Sequence, residues 1–159
     1  MRTALDRFKE AQAQRASGFE SALLEIQSGQ KRGHWIWYVF PQLSGLGRST
    51  MSRIYGIAGK EEAAEYLRDP LLRSRYLTVA TAVAGQLARG VSFDVLMNSS
   101  IDAMKVVSSL TLFGHVARRL HAAEGVAEHK SIADVADRLL QKADAEGYPP
   151  CRVTLDRLK

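Results

Sequence analysis

The sequence has a single cysteine and no long apolar run, and each of these shortages excludes a class of protein. Cys151 alone cannot form an internal disulfide, which excludes the small folds that depend on disulfides. No stretch approaches the roughly 20 apolar residues that a membrane-spanning helix needs. The first residues, MRTALDRFKEAQAQ, lack the apolar core of a secretory signal. We therefore expect a cytoplasmic protein that does not enter a membrane.

Motifs for metals and for nucleotide phosphates are also missing. The sequence contains no C-x-x-C, no H-E-x-x-H and no G-x-x-x-x-G-K-S/T. Its four histidines show no spacing typical of metal ligands; they are His34, His115, His121 and His129. We therefore expect neither a metal site nor a resident cofactor.

The overall composition is typical of one globular domain. The chain has 159 residues, of which 46% are hydrophobic and 25% are charged. A chain of this length buries roughly 70% of its surface on folding, which is enough for a hydrophobic core. No repeat and no linker rich in proline, glycine or serine divides it. We predict a single domain over residues 1–159.

The net charge of +5 favours an anionic partner. The 22 Lys and Arg residues are nevertheless scattered among 17 Asp and Glu residues. Lys31-Arg32 and Arg118-Arg119 are the only adjacent basic pairs. A protein that binds nucleic acid usually concentrates its positive charge on one face. We therefore expect a small anionic molecule, rather than nucleic acid, as the partner.

Apolar residues recur at helical spacing along most of the chain. Asp69-Pro70 and Ser99 mark two helix starts, because Asp and Ser side chains cap helices and proline is tolerated in the first turn. Ser131 and Asp134 repeat the spacing of a capping box ahead of the last helix. The pattern predicts helices near residues 4–15, 19–29, 60–68, 70–87, 100–123 and 132–147, short helical turns at 50–55 and 92–97, and an extended tail at 148–155. The predicted fold is mainly α, a compact single domain of several helices.

Residues 34–40 do not follow this spacing. Five of these seven side chains are rings, and proline follows them. Aromatic and β-branched residues closed by proline favour a short strand or an extended buried segment, so we expect at most a minor extended element here. In such a segment Trp35 and Trp37 face the same way. The segment is either a wedge of the core or an aromatic wall against which a base or sugar stacks.

The helix predicted at 100–123 carries three polar residues on one face. At about 100° per residue, Asp102, Lys105 and Ser109 lie on the same side, and the other sides are almost entirely apolar. Buried charges need partners, because an unpaired charge in a core is very unfavourable. Two interpretations stay open. Asp102 and Lys105 form an ion pair at a solvated helix end while Ser109 bonds a backbone carbonyl, or the three residues line a polar pocket.

Several stretches of the chain resemble the bacterial DUF1810 family. The resemblance is carried by GHWIWYVFPQ at 33–42, GLGRS at 45–49, EAAEYLRDP at 62–70 and DAMKVVSSLTLF at 102–113. It extends over most of the chain and implies a compact, mainly helical domain with no established reaction. The order of the helices is also similar to that of the NADAR or YbiA-like group, which includes N-glycosidases that act on ribosylated, phosphorylated substrates.

Our first hypothesis is a binding site for a phosphorylated or nucleotide-like anion between the aromatic segment and the helix that begins at Ser99. Trp35 or Trp37 stacks on the ligand, because an indole offers a flat apolar face. Arg48 and Lys105 meet its negative charge.

The same hypothesis assigns the remaining polar residues. Gln42 and Ser109 contribute further ligand contacts. His34 and Asp102 are the candidate catalytic residues, because both can transfer a proton and imidazole titrates near neutral pH. With them the protein would act as an N-glycosidase-like hydrolase.

The second hypothesis is a non-catalytic helical domain for protein interaction or oligomerisation. The aromatic segment and the helix at 100–123 then belong entirely to the core. The last helix and the tail at 148–155 form the partner surface, which a homodimer would also use.

Overall fold

The structure, a computed structural model, describes residues 2–159 and has ten helices within that range. They are α1 (Asp6–Gln12), α2 (Phe19–Gln27), α3 (Ile36–Val39), α4 (Thr50–Ile54), α5 (Lys60–Arg68), α6 (Pro70–Ala88), α7 (Phe93–Met97), α8 (Ser100–Glu124), α9 (Ala127–Ala145) and α10 (Arg152–Arg157). Within the same range, extended backbone pairs in one isolated parallel bridge, between Leu43 and Ile57. The predicted mainly α fold is confirmed.

Two of the predicted helix starts are capped as the sequence indicates. The Asp69 carboxylate accepts hydrogen bonds from the backbone N–H groups of Leu71 and Leu72 at 3.0 and 3.1 Å, and proline takes the first position of α6. The Ser99 hydroxyl accepts a hydrogen bond from the backbone N–H of Asp102 at 3.2 Å and so caps the first turn of α8. Each such cap stabilises its helix by about 1 kcal/mol.

Helix α8 forms the centre of the fold and packs against α5, α7, α9 and α10. Its buried side carries Phe113, whose ring centroid lies 5.0 Å from that of Tyr66 and 4.8 Å from that of Tyr76. Gly114 lets α9 approach closely, because a Cβ atom there would lie 2.9 Å from the Cβ atom of Ala136. This packing leaves the first turns of α8 partly exposed beside the loops that precede α5.

The aromatic segment differs from the prediction, because its centre is one turn of helix. The N–H groups of Val39 and Phe40 donate to the carbonyls of Trp35 and Ile36, both at 3.1 Å. The predicted extended segment, with successive side chains facing opposite ways, is therefore wrong. These four residues are all buried. A short apolar run has no periodicity that separates a strand from a buried helical turn, and no strand of the described residues lies beside it to pair with.

Three helix boundaries also differ from the prediction. The expected extended tail at 148–155 contains the start of α10 at Arg152. Helix α9 begins at Ala127, and the Ser131 hydroxyl donates to the Ala127 carbonyl at 3.4 Å instead of capping a helix. Serine inside a helix often bonds the carbonyl four residues earlier, so the capping-box spacing alone does not locate a start. Helix α1 is shorter than the predicted 4–15.

Candidate functional site

One carboxylate holds the loop between α2 and α3 in place. Glu25 accepts hydrogen bonds from the backbone N–H groups of Arg32 and Gly33 at 2.7 and 2.8 Å. It also accepts the indole N–H of Trp35 at 2.9 Å. Burial alone would raise the pKa of Glu25, but these three donors and the nearby Lys31 ammonium lower it below its ordinary value. The ionised carboxylate therefore fixes the start of the aromatic segment.

The same loop places a lysine in the core beside α8. The Lys31 side chain is 7% exposed, and its Nζ atom lies 3.0 Å from a carboxylate oxygen of Asp102. The ammonium group also donates to the carbonyl of Gly33 and lies 5.2 Å from the ring centroid of Trp35. Removing one charge of a buried pair leaves the other without its partner, so such a pair holds its two elements together. Lys31 thus connects the loop to the first turn of α8.

Asp102 also orients Lys105, one turn further along α8. Its second carboxylate oxygen lies 3.9 Å from the Nζ atom of Lys105. The same Nζ atom lies 5.3 Å from the ring centroid of Trp37, and a cation over an indole face gains about 0.5–2 kcal/mol. Lys105 is therefore held between a carboxylate and an aromatic ring, and its side chain stays partly exposed.

The loop at 42–52 has a tight turn that presents an arginine. A Cβ atom on Gly47 would lie 2.3 Å from the hydroxyl oxygen of Ser52, so only glycine fits there without a shift of the loop. The Ser49 hydroxyl accepts a hydrogen bond from the backbone N–H of Ser52 at 3.1 Å and so caps the first turn of α4. Arg48, between these positions, is exposed and has no ion-pair partner among residues 2–159.

These elements surround an open groove of about 480 Å³, which we call the α8 groove. Its lining residues are Gln42, Leu46, Gly47, Arg48, Ser49, Ser52, Ile101, Met104, Lys105, Ser108, Cys151 and Val153. Two of these side chains are cations, and none is a carboxylate. Ile101, Met104 and Val153 are large apolar side chains that are more than half exposed. The groove therefore combines positive charge, polar groups and an apolar surface.

Cys151 lies at one edge of the α8 groove. It also lines an adjoining cavity of about 380 Å³ with Met104 and Ser108. Burial alone would raise the pKa of its thiol, but the nearby backbone N–H groups of Thr154 and Val153 and the Ser108 hydroxyl lower it below its ordinary value. A thiol with a lowered pKa reacts readily with alkylating agents, so Cys151 is a chemical probe of this groove.

The structure brings three of the predicted ligand-binding residues together. Gln42, Arg48 and Lys105 all line the α8 groove, although they come from a loop and a helix that are distant in sequence. Trp37 lies behind Lys105 in a small cavity of about 10 Å³, which has no room for a stacked ring. Asp102 supports Lys105 but is not a lining residue.

Three other predicted residues lie elsewhere. Trp35 is fully buried, and its N–H is bonded to Glu25. Ser109 is also fully buried. Its hydroxyl lies 2.9 Å from that of Tyr76 in a hydrogen bond and makes none to a backbone carbonyl of the described residues. The polar pocket of Asp102, Lys105 and Ser109 is therefore not formed. His34 is exposed and does not line the groove.

Sequence reasoning misses Glu25 and Lys31, which position the site. Glu25 belongs to an amphipathic helix with no sign that its carboxylate turns toward the next loop. Lys31 stands in an adjacent basic pair, which is normally a solvated feature. The one available signal is that Lys31 comes three residues before the aromatic segment at 34–40, where a buried charge needs a partner.

The fold and the groove define a small helical protein with an open groove that bears positive charge. Among the described residues, no three His, Cys, Asp or Glu side chains cluster as metal ligands would. None of the helices is both long and apolar enough to cross a bilayer.

Comparison with known proteins identifies the family. The chain belongs to the family described as protein of unknown function DUF1810, whose model matches residues 2–132. Among solved structures, it is similar to the crystal structure of the conserved hypothetical protein Rv1873 from Mycobacterium tuberculosis, at 31% identity and a TM-score of 0.73. That similarity covers 96% of this chain and 94% of the other. No curated protein matches this chain. The predicted resemblance to the DUF1810 family is confirmed.

Proposed function

We propose that the protein binds a small organic molecule with an anionic group and an apolar part in the α8 groove. The observation that carries this proposal is the charge of the lining, which includes Arg48 and Lys105 and no carboxylate. Ligand sites typically combine an apolar wall with a few convergent polar groups, and their volumes begin at about 300 Å³. The groove has both properties.

The two cations have different roles in this proposal. Lys105 is oriented before any ligand binds, because Asp102 and Trp37 restrict its side chain. Restricting a side chain in advance lowers the entropy that binding must remove. Arg48 is exposed and is therefore free to close over a bound anion with its planar, five-donor guanidinium group. The Gln42 amide makes no side-chain hydrogen bond within the described residues and is available as a further donor.

The apolar side of the groove favours a ligand larger than a free phosphate ion. Ile101, Met104 and Val153 offer exposed carbon surface beside the two cations. Burying such surface contributes about 25 cal/mol per Å². A phosphorylated or nucleotide-like anion, with a charged end and a less polar body, matches this arrangement.

The proposal concerns binding and does not include hydrolysis. A general acid or base must lie within hydrogen-bond reach of the reacting group. His34 does not line the groove, and Asp102 is engaged by Lys31 and Lys105. An N-glycosidase-like reaction would need one of these groups to be rearranged.

Calorimetry with adenosine monophosphate, ribose 5-phosphate and inorganic phosphate tests the proposal. We expect the organic phosphates to bind and to slow the alkylation of Cys151 by iodoacetamide, because a ligand in the groove covers this thiol. Lys105→Gln should weaken binding by about tenfold, the effect of one charge-assisted hydrogen bond. Lys142→Gln removes an exposed lysine from α9 and is the matched control. Equal affinities of the two variants, or no binding by any probe, would contradict the proposal.

A second candidate function is self-association through the same face. Three large apolar residues are exposed together around the start of α8 and α10, namely Ile101, Met104 and Val153. Exposed apolar patches often mark protein interfaces. Sedimentation equilibrium of the wild type and of Ile101→Lys distinguishes this function: a dimer that the variant dissociates supports it, and a monomer at all concentrations contradicts it.

A further inference from the structure

A second open groove, of about 570 Å³, lies where α5, α8 and α10 meet, and we call it the α10 groove. It shares no lining residue with the α8 groove. Helix α5 contributes Lys60, helix α8 contributes His115 and Arg119, and helix α10 contributes Arg152. Side chains from three separate helices therefore face one space.

The positive charges of this groove are not neutralised within the described residues. Lys60, Arg119 and Arg152 have no carboxylate oxygen within 4.0 Å. The single acidic side chain of the lining, Asp156, lies 3.4 Å from the ammonium group of Lys159, which also lines the groove. The groove therefore keeps three positive charges without a partner.

Two carboxylates lie near the groove but do not pair with its cations. Glu61 and Glu65 on α5 line an adjoining cavity that shares Lys60, His115 and Arg119 with the α10 groove, and neither forms an ion pair within 4.0 Å. Arg68, in the same cavity, is bonded to Glu124 at 2.7 Å. On α8, Arg118 is paired with Asp137 on α9 at 2.6 Å and does not line either space.

His115 gives a second, independent indication of a missing partner. Its Nε2 atom is buried and has no hydrogen-bond partner in residues 2–159. Most buried polar atoms in folded proteins are hydrogen-bonded, so an orphaned ring nitrogen needs an explanation. Burial lowers the pKa of His115, and the charges of Arg119, Arg118 and Lys60 lower it further. The ring therefore lies in a field that a bound anion would compensate.

We propose that the α10 groove binds a small polyanion through Lys60, Arg119 and Arg152, beside the ring of His115. Three cations from three helices suit a molecule with more than one charged group, such as two linked phosphates. Guanidinium groups bind phosphate oxygens through paired hydrogen bonds, whereas lysine acts as a point charge. The site does not depend on the function proposed for the α8 groove, because the lining residues are different.

Nuclear magnetic resonance of the His115 ring during titration with inorganic pyrophosphate at fixed pH tests this proposal. We expect the ring signals to shift and to saturate. Arg119→Gln should weaken the affinity by about tenfold, since it removes charge-assisted hydrogen bonds. Arg118→Gln removes the same charge one position earlier on the same helix and should change the affinity less than about twofold, because Arg118 is an exposed, paired residue.

Two outcomes would overturn the proposal. If the two arginine variants weaken binding equally, pyrophosphate responds only to general surface charge. If the His115 signals do not move, the groove does not hold the anion. Lys105→Gln keeps this test separate from the α8 groove, because the pyrophosphate response at His115 should be the same in that variant as in the wild type.

A second readout uses sulfate, whose own charge is constant near neutral pH. Bound sulfate should raise the pKa of His115, because an anion favours the charged imidazolium. By linkage, sulfate affinity should increase as the pH falls through that pKa. An unchanged pKa of His115 in saturating sulfate would contradict an anion site beside this ring.

Discussion

The Nζ atom of Lys31 lies 3.0 Å from the carboxylate of Asp102, and this ion pair joins the loop after α2 to the first turn of α8. The same carboxylate lies 3.9 Å from Lys105, a lining residue of the α8 groove. The position of this cation therefore depends on a pair in the core. Asp102, a candidate catalytic residue by its sequence, contacts both lysines in the structure.

Breaking the core pair should destabilise the fold. Lys31→Met leaves Asp102 with only the more distant Lys105, and we expect the free energy of unfolding to fall by about 3 kcal/mol. Urea unfolding measures this change. Lys130→Met is the matched control, because its pair with Asp134 is more than half exposed on each side and should contribute less than about 0.5 kcal/mol. Similar losses of unfolding free energy in both variants would show that the buried pair stabilises the fold no more than the exposed pair does.

The Glu25 carboxylate should make the free energy of unfolding depend on pH in the acidic range. Burial opposes ionisation, but the N–H donors and Lys31 hold the pKa of Glu25 below its ordinary value of 4.5. The ionised carboxylate therefore stabilises the fold above that pH, and this stabilisation is lost as the pH falls through the folded-state pKa. Glu25→Gln should be less stable near neutral pH and should lose less stability between about pH 6 and about pH 3.

Urea unfolding across that pH range measures the difference. Glu20→Gln, an exposed change on the same helix, should follow the wild-type profile. If Glu25→Gln also follows the wild type, the hydrogen bonds of Glu25 do not fix the loop.

The turn at Gly47 should tolerate no side chain at this position, because Ser52 lies too close. In Gly47→Ala the new Cβ atom would lie 2.3 Å from the Ser52 hydroxyl oxygen and 2.7 Å from its Cβ atom. We expect a loss of about 1–3 kcal/mol, typical of overpacking, in thermal or urea unfolding. Ser52→Gly removes both atoms, so the double variant should lose less than the sum of the two single variants. Additive losses would mean that this contact does not constrain the loop.

Ser109 should act on stability and not on ligand binding. Its hydroxyl is the hydrogen-bond partner of the buried Tyr76 hydroxyl at 2.9 Å. Ser109→Ala leaves that hydroxyl without a partner, so we expect a loss of about 1–3 kcal/mol in unfolding free energy. The affinity for adenosine monophosphate should be unchanged in the same variant. Reduced affinity in a fully stable Ser109→Ala protein would show instead that Ser109 contributes to ligand binding.

The helices could largely be predicted from the sequence because their signals are local. Apolar spacing and a capping residue defined the start of α6 after Asp69 and that of α8 after Ser99. The turn at Ile36–Val39 could not be predicted, because its conformation depends on the surrounding core rather than on its own periodicity. The same limit applies to α10, whose six residues carry no cap that bonds a backbone N–H.

The candidate site could be predicted only in part. Arg48 and Lys105 were recognisable as cations near a glycine-containing turn and on an apolar helix, and both line the α8 groove. Their supports were not recognisable, because Glu25 and Lys31 act through contacts between elements that tertiary packing alone creates. Residue type indicated the chemistry, whereas burial decided that Trp35 lies in the core.

Methyl resonances of methionine during titration with adenosine monophosphate test the central claim most directly. Met104 lines the α8 groove and is 59% exposed, whereas Met97 is fully buried and does not line this groove. We predict a saturable shift of the Met104 signal that Lys105→Gln weakens and Lys142→Gln does not, with the Met97 signal unchanged. A Met104 signal that stays in place while the nucleotide binds elsewhere, or does not bind, would contradict the account.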